Sequence, residues 1–270
     1  MCATCGCGQD EARISWTSGD GGTAYAPVHD HDGHDHDGHE HAGHDQGPGG
    51  HSHGTMAAHT HTLDIEQAVL ARNDELAAHN RTRLRETGVR AVNLMSSPGA
   101  GKTSLLERTI RDYAGEVCVI EGDQETRFDA DRIREAGARA VQVNTGAGCH
   151  LDATMVERAL GRLAPPPGSL VFVENVGNLV CPALFDLGEN RRAVVISVTE
   201  GDDKPLKYPH MFAAADLVVV NKTDLLPYVD FDLDRCIRDA RRLKPDLEAV
   251  AVSVRTGENL DAWYSWLDGI

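Results

Sequence analysis

From Arg90 onward the chain alternates short apolar runs with longer segments whose apolar residues recur at helical spacing. The apolar runs predict strands at Ala91–Met95, Glu116–Ile120, Ala138–Asn144, Leu170–Glu174, Ala193–Val198, Leu217–Asn221 and Ala249–Ser253. Amphipathic stretches between most of them predict helices. Continuously apolar strands alternating with helices imply an α/β fold, with a mostly parallel sheet covered by helices on both faces. Upstream, Asp64-Ile65-Glu66 opens a helix with a broken stripe of Ile65, Val69, Leu76 and Leu84, and Gly88 ends it. The pattern stops before Leu63. Residues 1–62 carry too few apolar side chains to bury a core, so the chain divides into a disordered tail (1–62) and one folded domain (63–270).

Two polar interruptions of the apolar pattern carry chemistry. Ser96-Ser97-Pro98-Gly99-Ala100-Gly101-Lys102-Thr103-Ser104 follows the first predicted strand and opens a helix. Glycines at 99 and 101 let backbone N–H groups approach phosphates, and the helix N-terminus adds its dipole. Gly99, Ala100, Gly101, Lys102, Thr103 and Ser104 therefore form a phosphate-binding loop. Lys102 reaches the β- and γ-phosphates of the nucleotide, and the Thr103 hydroxyl ligates Mg²⁺. Ser96 stands where the strict pattern has glycine. About 120 residues further on, Asn221-Lys222-Thr223-Asp224 follows another strand. The Asp224 carboxylate can accept from the N1–H and N2–H₂ edge of guanine, which adenine does not offer, so the site selects GTP over ATP. The Lys222 stem lies along the base and Asn221 ties this loop to the phosphate loop. Ser253-Val254-Arg255 offers a backbone N–H to the base carbonyl.

Mg²⁺ and water chemistry require further carboxylates. Asp123, placed just after the second strand, either ligates Mg²⁺ or orients the attacking water. Glu174 ends the fourth strand where many GTPases have aspartate, and its extra methylene suits Mg²⁺ binding through water. Lys102, Asp123 and Glu174 are thus the catalytic candidates. No glutamine stands in the usual water-positioning place, so intrinsic hydrolysis is expected to be slow.

Composition changes the picture at the N-terminus. Net charge is −16, and residues 1–62 hold nine acids and one base. Neither segment offers the basic face that nucleic acid needs. No run approaches the roughly 20 apolar residues of a membrane span, and no export signal precedes Cys2, which points to the cytoplasm. Cys2, Cys5 and Cys7 lie too close together for a disulfide framework, so they read as thiolate ligands for Ni²⁺, Zn²⁺ or Cu⁺. Their fourth ligand is the terminal amine, a histidine or a group from a partner. His29, His31, His34, His36, His39, His41, His44, His51, His53, His59 and His61 follow, partly in a five-residue repeat. Such spacing on a glycine-rich coil chelates Ni²⁺, Cu²⁺ or Zn²⁺ in many arrangements, which suits storage. Within the folded domain, Cys149-His150 and Cys181 both fall in loops at the nucleotide-facing edge. They are either a Cys/His metal site or buried cysteines. Cys118 and Cys236 read as core residues, and His79 and His210 have no evident partner.

Taken together these motifs resemble the hydrogenase nickel-incorporation GTPases (HypB) of the SIMIBI branch of P-loop NTPases. The residues that carry the resemblance are 1–8, 96–103, 121–124 (Glu-Gly-Asp-Gln), 145–150 (Thr-Gly-Ala-Gly-Cys-His), 174–182 (Glu-Asn-Val-Gly-Asn-Leu-Val-Cys-Pro) and 221–224. It implies that Ser96 is normal, that Cys2, Cys5 and Cys7 form a tight nickel site, and that Cys149, His150 and Cys181 form a weaker zinc or nickel site. It also implies a GTP-dependent homodimer, a HypA-type zinc metallochaperone as partner, and nickel delivery to the [NiFe]-hydrogenase large subunit. The alternatives are a urease-type nickel-insertion GTPase and a nickel storage protein with a vestigial GTPase.

Overall fold

The computed structural model describes residues 13–17, 23–27, 55–123, 128–146 and 148–270. Among the described residues nine strands form one sheet in the order β2-β1-β5-β4-β6-β3-β7-β8-β9. They are β1 (Arg13–Thr17), β2 (Thr23–Pro27), β3 (Arg90–Ser96), β4 (Val117–Asp123), β5 (Arg139–Asn144), β6 (Leu170–Glu174), β7 (Arg191–Ser197), β8 (Leu217–Asn221) and β9 (Glu248–Ala251). From β5 to β9 every neighbouring pair is parallel. The helices are α1 (Thr55–Thr87), α2 (Lys102–Asp112), α3 (Phe128–Glu135), α4 (Ala153–Leu163), α5 (Lys204–Lys207), α6 (Pro209–Ala214), α7 (Leu233–Leu243) and α8 (Leu260–Asp268).

Alternate residues of the central strands go to opposite faces, as a two-residue period requires. Val92, Leu94, Phe172 and Val195 pack with Leu105 of α2 and Trp263 of α8. Val171 and Val173 pack with Leu84 of α1 and with Val156 and Leu160 of α4. Val194 and Ile196 pack with Phe212 of α6 and Ala240 of α7. Helices therefore cover both faces, as the continuous apolar runs implied.

The N-terminal segment departs from expectation at three points. A tail without elements through residue 62 is corrected by the β1–β2 hairpin, whose first strand pairs antiparallel with β5. Arg-Ile-Ser-Trp-Thr and Thr-Ala-Tyr-Ala-Pro are short, alternating and separated by a glycine-rich stretch, which is a hairpin pattern. Edge pairing, with Ile14 buried in the core, needs far less apolar surface than an independent domain. Second, α1 starts at Thr55, ahead of Asp64, because neither glycine nor proline interrupts residues 55–87. Third, its buried face is Asn73, Ala77, Asn80 and Leu84, while Val69 of the expected stripe is exposed. The asparagines are buried because their amides bond main-chain groups of Ala153, Asp186 and Leu187. Cys2, Cys5, Cys7 and the histidines from His29 to His53 lie outside the described residues; His59 and His61 fall on α1.

Candidate functional site

The parallel strands all end at one edge, and the crevice beyond strand carboxyl ends is where such sheets bind ligands. Ser96 closes β3. Its hydroxyl, fully buried, donates to Ser97 O at 2.6 Å and accepts from Lys102 Nζ at 2.8 Å. Gly99 and Gly101 stand at φ +76° and +99°, so the loop turns back on itself before α2 begins at Lys102. Ser104, in the first turn of α2, has its hydroxyl 3.4 Å from Arg132 Nη2. The guanine loop packs directly on this loop. Asn221 Nδ2 donates to Ala100 O at 3.0 Å and Lys222 Nζ donates to Gly99 O at 2.7 Å. Asn221 Oδ1 accepts from the N–H groups of Lys222 and Val254.

Asp224 Oδ1 accepts from the Ser253 hydroxyl at 2.7 Å, and Ser253 is fully buried. Within the 253–255 segment the first two N–H groups have protein partners, so a backbone donor to a base carbonyl would be that of Arg255. Ser253 N–H donates to Glu258 O and Val254 N–H to Asn221, so the contribution of Ser253 is its hydroxyl, which orients the Asp224 carboxylate.

The acidic side of the site is built from the first turn of α2 and the ends of two strands, β4 and β6. Thr103 Oγ1 donates to Glu174 Oε1 at 2.8 Å. Asp123 is the last residue of β4, inside the strand and not after it, and its carbonyl accepts from Thr145 N–H at 2.9 Å. Glu121, two residues earlier and on the same face, pairs in register with Glu174 across β4 and β6. Burial, and then the charges of Glu174 and Asp123, push the Glu121 carboxyl up to about 9. Burial also raises Glu174, against the pull of Lys102 and the Thr103 hydroxyl. Glu121 Oε2 and Glu174 Oε2 are buried without a hydrogen-bond partner. Unmatched acidic oxygens beside a threonine hydroxyl fit a hard divalent cation with oxygen ligands, so Thr103 and Glu174 would hold Mg²⁺. Mg²⁺ supplies charge neutralisation at the phosphates when bound. Glu121 was missed as a site residue because a lone glutamate in an apolar strand gives no signal until its partner strand is known.

Cys149, His150 and Cys181 come together. The two Sγ atoms and a ring nitrogen lie within 4.8 Å of one another, and all three residues are half-buried. Cys149 Sγ is 3.7 Å from His150 Nδ1. The imidazole stacks on Phe185, with ring centroids 3.9 Å apart. Burial lowers the His150 pKa, against the pull of Asp152, which favours the neutral ring that ligates metals. Two thiols and an imidazole suit Zn²⁺ or Ni²⁺. Cys118 and Cys236 are buried, and burial raises both thiols, Cys236 to about 12, in keeping with core positions. His79 has a partner after all, Glu157 at 3.1 Å across α1 and α4.

Residues 90–251 match the CobW/HypB/UreG nucleotide-binding domain. The hydrogenase maturation factor HypB of Azotobacter vinelandii is 49% identical over 99% of this chain and 92% of its own length. That of Escherichia coli K12 is 44% identical over 99% and 98%. Among solved structures, HypB from Helicobacter pylori in complex with nickel superposes with a TM-score of 0.71 at 39% identity, covering 73% of this chain and 94% of that one. HypB from Archaeoglobus fulgidus gives 0.69 at 41% identity, covering 74% and 98%. No helix among the described residues is long and apolar enough to cross a membrane. With the phosphate loop, the guanine loop and the Cys/His group gathered at one sheet edge, the chain belongs to the CobW/HypB/UreG family of P-loop GTPases, as a hydrogenase maturation factor of the HypB type.

Proposed function

We propose that this chain is a cytoplasmic, GTP-hydrolysing nickel metallochaperone that delivers Ni²⁺ to the large subunit of [NiFe]-hydrogenase. The observation that carries the reading is that the Cys149/His150/Cys181 group hangs from the ends of β5 and β6, beside the residues that frame the nucleotide site. A loop state that GTP favours also sets the spacing of the three donors. GTP then changes metal affinity, and metal changes nucleotide affinity by the same factor. Lys102 offsets phosphate charge, Asp224 reads guanine, and hydrolysis resets the loops.

Val180 and Leu184, on either side of Cys181, are more than half exposed. An apolar patch at the metal site suits a GTP-dependent homodimer. A HypA-type zinc metallochaperone is the partner in transfer, and either Zn²⁺ or Ni²⁺ occupies the Cys/His group. Cys2, Cys5 and Cys7 bind nickel tightly, and the histidine tract buffers it.

The test is Ni²⁺ transfer from the purified protein to a chelator or to a HypA-type partner, with GDP, GTP or a non-hydrolysable GTP analogue bound. Nucleotide-dependent transfer that disappears in Cys149→Ala and Cys181→Ala supports the switch. Transfer indifferent to nucleotide leaves a nickel-storing protein and refutes it. One relative, 42% identical over 74% of this chain, is named a hydrogenase/urease maturation factor in Helicobacter hepaticus. Urease service is therefore the second reading, and pull-down against hydrogenase and urease subunits separates the two.

A further inference from the structure

The residue after Glu174 joins the two sites. Asn175 is 1% exposed, and its Oδ1 accepts the N–H of Leu151 at 3.2 Å and of Val176 at 3.0 Å. Leu151 directly follows His150. Asn175 Nδ2 lies 3.4 Å from Asn93 Oδ1, in the strand that leads into the phosphate loop. Asn93, also fully buried, donates from Nδ2 to Glu189 Oε1 at 3.1 Å. Glu189 Oε2 accepts the Leu187 N–H at 2.8 Å. The segment from Asn175 to Glu189, which carries Cys181, is thus pinned at both ends to Asn93. The segment carrying Cys149 and His150 is pinned to the same network through Leu151. Asn178 adds a 3.4 Å contact to Cys149 O.

A buried amide with these bonds holds its neighbours in one arrangement, because an unpaired N–H or C=O there is costly. Only one peptide unit separates it from the carboxylate that accepts the Thr103 hydroxyl. Displacement of the β6 end therefore moves the Leu151 anchor and the start of the Cys181 segment together.

We propose that Asn175 is the positioning residue that couples the nucleotide site to the Cys149/His150/Cys181 group, with Asn93 as its support. This rests on the nucleotide-gated reading above and names the side chain that transmits it. A shared buried network is a necessary condition for coupling, and a linkage measurement decides whether it is used.

The experiment titrates Co²⁺ into the full chain carrying Cys2→Ala, Cys5→Ala and Cys7→Ala, following the thiolate-to-metal charge-transfer band. Each titration is run with GDP–Mg²⁺ and with a non-hydrolysable GTP analogue. The expected result is at least a fivefold ratio between the two Co²⁺ dissociation constants in this background. Asn175→Ala brings the ratio below about twofold while GDP affinity stays within threefold. Asn93→Ala, which leaves the Leu151 bond in place, also lowers it and serves if Asn175→Ala does not fold. Asn175→Asp, which retains the Oδ1 acceptor, restores part of the ratio. Val156→Ala, a core truncation in α4, lowers stability and keeps the ratio. An undiminished ratio in Asn175→Ala or Asn93→Ala overturns the positioning role and leaves nucleotide gating standing. A ratio of one in the background itself overturns both.

Discussion

Replacement of Gly101 by alanine separates two physical effects that meet at the phosphate loop. Gly101 stands at φ +99°, and a Cβ built there lies 2.5 Å from Asn221 Nδ2. Gly99 stands at φ +76° with nothing within 4 Å of its Cβ. Both alanines incur the left-handed penalty of about 1–2 kcal/mol. Both recover roughly 0.4–1 kcal/mol by stiffening the unfolded chain. Gly99→Ala is therefore expected to destabilise the nucleotide-free protein by about 1 kcal/mol. In Gly101→Ala the Asn221 amide must also move off its 3.0 Å bond to Ala100 O, which adds about 1 kcal/mol. Turning that amide out of its rotamer adds about 1 kcal/mol more. Asn221 cannot rotate freely, since its Oδ1 also holds the N–H groups of Lys222 and Val254. The expected loss is about 3 kcal/mol, and with the guanine loop detached GDP affinity falls on the order of 30-fold. Urea unfolding of nucleotide-free protein and titration with fluorescent GDP measure the two quantities. If Gly101→Ala is as stable as Gly99→Ala, the close approach of Asn221 is not what requires glycine there.

Four other expectations concern single groups. In metal- and nucleotide-free protein, Glu121 keeps its proton in the folded state up to about pH 9 and loses it near 4.5 when unfolded. Its contribution is fully present below pH 4.5 and is lost as pH rises toward 9, by up to about 1.4 kcal/mol per pH unit. Glu121→Gln should flatten the stability profile between pH 5 and 8 by that slope, and parallel profiles would refute the assignment. Ser253→Ala removes the hydroxyl that orients Asp224 and should weaken GDP binding roughly five- to tenfold. Asp224→Ala should cost on the order of 100-fold or more, with ATP binding unchanged in both; isothermal titration distinguishes these outcomes. In the Cys2→Ala, Cys5→Ala, Cys7→Ala background, Cys181→Ala should strongly reduce the Co²⁺ charge-transfer band, since only the Cys149 thiolate remains, while leaving GDP affinity within about twofold. A surviving band of full intensity would place the donor group elsewhere.

Much of this architecture was legible along the chain, since its main signals are local. The seven parallel strands were expected within a few residues of their observed limits, because strands buried on both faces must be apolar throughout. The phosphate loop and Asn221-Lys222-Thr223-Asp224 announce themselves because the backbone conformation and hydrogen-bond donors they need come from consecutive residues. The β1–β2 hairpin was not legible. It has too little apolar surface to stand alone and acquires its place by pairing with β5. The buried face of α1 was misread for a related reason: Asn73 and Asn80 look like surface residues until the carbonyls they bind are in place.

The sequence by itself determined the groups available here: a glycine-rich loop between strand and helix, the Asp224 carboxylate, and the thiols and imidazoles. Which of these groups meet was decided by tertiary structure. Parallel pairing of β4 with β6 sets Glu121 against Glu174, although 53 positions separate them in the chain. Convergence of the β5 and β6 ends brings Cys149 and His150 to Cys181. The Asn93–Asn175–Leu151 chain of hydrogen bonds exists only because three separate segments are buried together. Local sequence fixes what a residue can donate or accept; burial and strand register determine which group it faces, and those are properties of the folded chain as a whole.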